Sequence, residues 1–315
     1  MPANTPDPLL SEPNAIIDGT RVLAFVFTIA IYSREPFSRH AKAILGLQKR
    51  FLDLCPPSTS WYYATENMSR HKPATSRTHG MLGVWLKPGA PAREFIALEI
   101  KDGAVFNAAP EFKFEVRGTE PGSPSFDGDD ANLITLSFPA AWATERTDVM
   151  KALALEAFSA IPVVSGHAGY SFELSRYFQS GAEALGWKHS MRHRGIDVAR
   201  PSEDRGAVST DGLKTVSWLT LLGKSLLVSL GGQRVLSALP SSVIVHDLPT
   251  GVALEAGPQP IAGESAKPKD LASYKAVFKV VRPLIERVVA RYPAMWLLGG
   301  IKIEPTRAWL LRLER

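Results

Sequence analysis

From Val22 to Ile31 every side chain but Thr28 is apolar, in a run rich in Val, Ile and Phe. The run is far short of the roughly 18 residues a membrane span requires, and it suits a central strand covered on both faces. Pro36 then marks a helix start. Ala43, Ile44, Leu47, Phe51 and Leu54 recur at helical spacing until Pro56 and Pro57 end the segment. Trp61 to Thr65 predicts a short strand, and Ser69 to Gly80 a polar loop carrying His71 and His79. Phe95 to Ile100, Phe112 to Val116 and Leu133 to Phe138 alternate apolar with polar residues. Asp102-Gly103 and the Pro/Gly/Ser/Asp-rich stretch from Pro121 to Asp130 separate them, so an antiparallel sheet is predicted. Glu145 to Ile161, with Val149, Leu153, Ala157 and Phe158 on one face, predicts a helix.

The second half repeats this order. Phe172 to Leu185 predicts a helix, followed by a basic loop into Gly195-Ile196-Asp197-Val198. Val216 to Leu221 and Leu226 to Leu230 predict strands, Gln233 to Leu239 a short helix, and Val243 to His246 with Gly251 to Glu255 a hairpin. Leu271 to Arg291 predicts a long helix bent at Pro283. The expected fold is α+β, with antiparallel sheets and packed helices in two similar halves. Residues 1–19 form a loose arm, 20–164 the first half and 165–315 the second, with one intertwined domain as the alternative.

Composition narrows the setting. A chain of 315 residues, 45% hydrophobic, buries a core without staples, and its single cysteine, Cys55, can form no bridge within the chain and no Cys-rich zinc site. The apolar run from Val22 follows acids and prolines rather than a basic leader, so export is not expected and a cytoplasmic location is. The net charge of +5 is mild but uneven. Between Glu94 and Asp130 nine acids face three bases, a local net of −6; from Lys267 to Arg315 eleven bases face four acids, a local net of +7. The molecule is electrically polarised, without the basic cluster that direct nucleic-acid binding would require.

Chemistry-bearing motifs are sparse. GxGxxG, GxxxxGK[ST], GxSxG and CxxC are all absent. His189, His193 and Asp197 are spaced four and four, which on an unbroken helix would align three metal ligands. Gly195 interrupts that helix, and Arg192 and Arg194 surround it with positive charge, so neither a metal nor a cofactor is expected. Asp127, Asp129 and Asp130 lack the ligand alternation of a calcium loop, and Cys55 fits a buried apolar role. Lys275, Lys279, Arg282 and Arg287 form the solvated face of the last long helix, opposite its apolar face.

A set of ordered phrases remains: Pro139-Ala140-Ala141-Trp142, Ser165 to Glu173 (SGHAGYSFE), Arg192 to Val198 (RHRGIDV), Val216 to Thr220 (VSWLT), Leu230-Gly231-Gly232 and Gly251 to Pro258 (GVALEAGP). In this order they resemble the TsiV-like type VI secretion immunity proteins, described as immunity to VRR-type nuclease toxins. The resemblance is good over roughly residues 130 to 291 and looser before it. It implies a non-enzymatic protein that binds a secreted nuclease toxin in the cytosol, with no catalytic residues to transfer. A nuclease presents a basic cleft to phosphates, so an inhibitor gains from an acidic face. Glu111, Glu115, Glu120, Asp127, Asp129 and Asp130 are the candidate face, expected to lie at the surface. The alternative is an enzyme or metal-binding protein using His167, His189, His193 and Asp197.

Overall fold

The computed structural model describes residues 14–66, 68–91, 93–120, 130–264, 266–297 and 300–314. Its first element lies inside the expected loose arm. β1 (Ala15–Ile17) turns through Asp18 and Gly19, at φ 49° and 73°, into the 14-residue β2 (Thr20–Ser33). Two consecutive positive φ values define the primed turn that Asp-Gly favours, and its twist matches the flanking strands.

After a short 3-10 turn at Phe37–His40 come α1 (Ala41–Leu54), β3 (Trp61–Thr65), β4 (Lys72–Pro73) and α2 (Ser76–Trp85). The predicted polar loop from Ser69 therefore contains a strand and a helix start. Thr75 and Thr78 close a capping box there, which satisfies backbone donors that would otherwise be orphaned. β5 (Phe95–Asp102), β6 (Lys113–Thr119) and β7 (Asn132–Pro139) follow as predicted, then α3 (Ala140–Thr144) and α4 (Thr147–Ala160).

β8 (Ser165–Leu174) replaces the start of the helix expected from Phe172, and α5 (Gln179–Arg192) begins later. Gly169 lets the Ser217–Trp218 segment lie close against this strand. A Cβ there would stand 2.1 Å from Ser217 Oγ, so only glycine lets the next segment lie this close. β9 (Asp197–Val198), α6 (Pro201–Val208), β10 (Leu219–Gly223) and α7 (Lys224–Ser229) come next. α7 takes up most of the run from Leu226 that was expected as a strand, because a short apolar run has no period that separates a buried strand from a helix. α8 (Gln233–Leu236), β11 (Val243–Leu248), β12 (Gly251–Ala256), α9 (Ala272–Arg291), β13 (Met295–Leu297), β14 (Gly300–Lys302) and α10 (Ile303–Leu310) complete the chain, with Pro283 inside α9.

Among the described residues one 12-stranded sheet organises the fold in the order β11-β12-β10-β8-β2-β7-β6-β5-β3-β4, with β1 on β2 and β9 parallel on β8; β13 and β14 pair separately. The fold is α+β. β2 is central, between β7 and β8, and the sheet runs unbroken from strands before residue 164 to strands after it.

The two faces of the central strands differ in chemistry. Odd-numbered positions of β2 (Leu23, Phe25, Phe27, Ile29, Ile31) are large and apolar, and this face packs on α1, α3 and α4. Phe51 of α1 meets Phe114 and Phe138 at ring distances of 5.9 and 5.4 Å, and Trp142 of α3 stacks on Phe138 at 5.5 Å. Each such ring contributes about 2–3 kcal/mol on leaving water. Even-numbered positions (Ala24, Val26, Thr28, Ala30) are small or polar. Their register aligns them with buried Ser137, Thr135, His167, Ser171 and Glu173, and beyond β7 with Lys113 and Glu115. Smaller side chains on β2 leave room over this face for long charged ones.

Candidate partner-binding cleft

Charged side chains converge where β5, β6 and β8 pass the beginnings of α5 and α6. Alternation along β6 turns Lys113, Glu115 and Arg117 to one face, β5 adds Glu99, and β8 adds Glu173. Arg176 follows β8, Glu183 comes from α5, and Arg200 and Glu203 from the entry to α6. Together they line a cleft of about 310 Å³ with five glutamates and four bases.

Nearly every charge has a partner. Lys113 Nζ lies 2.7 Å from Glu173 and 3.3 Å from Glu115, and Arg117 Nε is 3.0 Å from Glu115. Glu99 meets His71 at 3.1 Å and Arg176 at 3.3 Å, while Arg200 Nε donates to Glu183 at 2.9 Å. Burial pushes the Glu99 carboxyl up, but His71, Lys113 and Arg176 overcome it and hold the group well below the usual carboxylate range. Burial wins at Glu173 and Glu203, whose carboxyls are raised against the pull of Lys113 and Arg200. This is an ion-pair network in which burial and paired cations compete at each carboxyl.

Exposed aromatic residues adjoin two of the cleft residues. Tyr177, next to Arg176, packs edge-on against Phe106 at 5.2 Å, and each is more than a third exposed. The Trp296 backbone N–H donates to Glu183 Oε2 at 2.6 Å, and the Trp296 side chain is 47% exposed.

The candidate acidic face divides in the structure. Glu115 and Glu120 are buried, against the expectation of surface positions. Glu115 serves the network above, and Glu120 accepts the backbone N–H groups of Phe37 and Ser38. Glu111 is half-buried and pairs with Arg21 at 2.8 Å, while Asp130 is exposed and 3.8 Å from Arg205. Glu111 and Glu120 flank opposite ends of β6, a seven-residue strand roughly 20 Å long, so they do not share one spot. Asp127 and Asp129 lie outside the described residues.

The histidine set also divides. His167 Nε2 and Asp197 Oδ2 are 3.5 Å apart, buried beneath α6. Lys214 Nζ bridges Asp197 at 2.8 Å and Asp204 at 2.6 Å, and Tyr292 Oη donates to Asp204. Burial pushes Asp197 up, but Lys214, His167 and Arg312 hold it far below its usual range. The void beside this cluster is about 10 Å³, room for one water molecule at most. His189 stands apart on the last turn of α5 against Phe172, and His193, beyond the helix end, bridges to Glu264. Among the described residues no three His, Cys, Asp or Glu side chains are grouped to hold a metal ion.

The cleft could not have been located from any contiguous stretch of sequence, since its charges come from five segments. The signal that was present is charge at alternate strand positions, Glu99-Lys101 and Lys113-Glu115-Arg117, where a solvated strand face is the ordinary explanation.

The fold has a solved counterpart. The Pseudomonas aeruginosa T6SS protein PA0821 superposes with a TM-score of 0.76 at 20% identity, over 93% of this chain and 83% of that one. A sequence comparison with curated proteins gave no match. The family model for TsiV, type VI immunity for VRR-NUC, matches residues 48–313, which includes every residue lining the cleft. This chain belongs to the TsiV family of type VI immunity proteins.

Proposed function

We propose that the protein neutralises a VRR-NUC nuclease toxin by binding it in the cytosol of the producing cell, without chemistry of its own, and that the cleft face is the binding surface. The observation that carries this reading is the family match across residues 48–313. The cleft supports it: a cavity lined by mutually paired charges, with exposed Tyr177 next to its Arg176 and exposed Trp296 bonded through its backbone to its Glu183, suits recognition. Among the described residues no helix is long and apolar enough to cross a membrane.

Affinity and steering divide between two kinds of side chain. Tyr177, Phe106 and Trp296 are the anchors, since exposed aromatics that become buried on association dominate interface energies. Glu111, Asp130 and Glu203, with Asp127 and Asp129 next to Asp130 in sequence, supply negative charge toward a basic nuclease surface and speed encounter. Glu115 and Glu120 act from beneath, by holding β6 and the turn after β2.

Co-expression with the cognate VRR-NUC toxin tests the reading. The intact protein protects the cell and co-purifies with the toxin, and Trp296→Ala with Tyr177→Ala loses both. Protection that persists when no complex forms would overturn binding as the means of neutralisation.

A further inference from the structure

Tyr177 and Phe106 are exposed, yet both are tied down from beneath. The Tyr177 Oη accepts the backbone N–H of His71 at 2.9 Å and lies 3.1 Å from its Nδ1, so His71 engages the tip of the phenol twice. His71 is buried and is itself fixed by Glu99, 3.1 Å from Nε2, while Arg176 holds the same carboxylate at 3.3 Å. Ser175 makes the second clamp. Its Oγ accepts the Tyr177 backbone N–H at 3.2 Å and donates to the Asn107 carbonyl at 2.6 Å, which fastens the turn of Tyr177 to the loop of Phe106. That loop is pinned again at the next two residues, where the Ala108 carbonyl accepts from Lys101 Nζ and the Ala109 N–H donates to the Arg21 carbonyl at 2.7 Å. The two rings then meet edge to face, 5.2 Å between centroids and 83° between planes.

We propose that His71 and Ser175 are positioning residues for the toxin contact, holding Tyr177 and Phe106 in their binding conformation without touching the toxin themselves. This rests on the reading that these two rings anchor the toxin. His71 is 3% and Ser175 1% exposed, so each acts through what it holds and not by meeting a partner. A side chain that becomes ordered only on association loses its rotamer freedom at that moment and weakens the complex. Ordering it beforehand moves that loss into folding, and each side chain so prepared changes affinity by about 3- to 10-fold. The tether also assigns the phenol its part: with Oη engaged by His71, Tyr177 offers a partner its ring and not its hydroxyl.

Ring-labelled tyrosine and a mutant cycle test this on the whole chain. In the free protein the Tyr177 ring signal, identified by its absence from Tyr177→Ala, has an NMR order parameter of about 0.85, and His71→Ala drops it below about 0.6. Against the cognate toxin, His71→Ala and Ser175→Ala each weaken binding by about 3- to 10-fold. In the Tyr177→Ala background His71→Ala causes no further loss, because no ring remains to be held, whereas a merely structural role would lower affinity equally in both backgrounds. Tyr177→Phe leaves the buried His71–Glu99 pair intact and gives the same loss as His71→Ala, which keeps the test decisive where that variant folds poorly. A Tyr177 ring equally ordered without His71, or a His71→Ala loss of the same size with and without the ring, would overturn the proposal. Unchanged toxin affinity in Tyr177→Ala, with ring order still set by His71, would instead overturn the anchor reading and the proposal with it, so the ring order tells the two failures apart.

Discussion

The Lys113 ammonium reaches the Glu173 carboxylate, Nζ to Oε2 2.7 Å, from a strand three places away in the sheet. Three strand spacings are about 14 Å, so the pair closes only because β7 and β2 present Ser137, Ala24 and Val26 beneath it. Ser137 Oγ completes the arrangement by donating to Glu173 Oε1 at 2.7 Å. The charged face of the sheet is thus spanned from β6 to β8 by one buried link. Removing one partner of a buried pair leaves an uncompensated charge, so Lys113→Met lowers unfolding free energy by about 3–5 kcal/mol in denaturant titration. Glu173→Gln costs less, since burial already raises that carboxyl, and Lys113→Met with Glu173→Leu recovers part of the loss.

Lys101 gives a pH signature. Burial brings its ammonium down to about 8, against the pull of Glu99 and Asp102, and Nζ donates to the Ala108 carbonyl. The unfolded chain therefore holds this proton more tightly than the folded one, and stability from this residue rises with pH from about 8 to the ordinary lysine value near 10.4. Cys55, whose thiol burial pushes up, acts in the opposite direction as the unfolded thiol ionises. Comparing wild type with Lys101→Met isolates the lysine: the wild type gains on the variant between pH 8 and 10. A constant difference over that range would remove Lys101 from the account.

Acids of the −6 segment separate into two classes by measurement. Glu120→Ala leaves the Phe37 and Ser38 N–H groups without their acceptor and destabilises by about 1–3 kcal/mol. Glu111→Gln and Asp130→Asn, with Glu203→Gln from α6 added, together leave the melting temperature nearly unchanged and slow toxin association by about tenfold at low salt, an effect that fades as salt rises. Stopped-flow association at two ionic strengths reads both outcomes.

Aromatic anchors act on dissociation instead. Trp296→Ala or Tyr177→Ala each weakens toxin binding by about 2 kcal/mol or more, roughly 30-fold, seen mainly as faster release in surface-binding kinetics. Tyr177→Phe separates two roles, because it keeps the ring and loses only the hydroxyl that contacts His71.

Long-period features of this fold were legible in the sequence, and short or two-sided ones were not. The Val22 run predicts the central strand, and the periodic segments predict α1, α4 and α9, although in α4 Val149, expected on the buried face, is 40% exposed and Met150 takes its place in the core. β1 was hidden because three residues have no period, although Asp18-Gly19 carried the turn signal. α7 and β8 were exchanged in type because apolar runs and glycine-rich strands answer to packing that only the tertiary fold supplies. At the cleft, the charge count over Glu94 to Asp130 covers Glu99, Lys113, Glu115 and Arg117 but does not show their burial: Glu115 looks like a surface residue until Lys113 and Arg117 are seen to enclose it. Glu173, Glu183 and Arg200 come from later in the chain, and no local pattern connects them to β6.

The central claim is that neutralisation is stoichiometric binding, and titrating this protein into a nuclease assay of its purified cognate VRR-NUC toxin tests it most directly. The account predicts a linear fall in DNA cleavage that reaches zero at a fixed molar ratio of immunity chain to toxin, with full activity regained when the complex is dissociated and the toxin re-isolated. Inactivation of many toxin molecules by each immunity chain, or a toxin that stays inactive after separation, would contradict it and assign the protein a catalytic role.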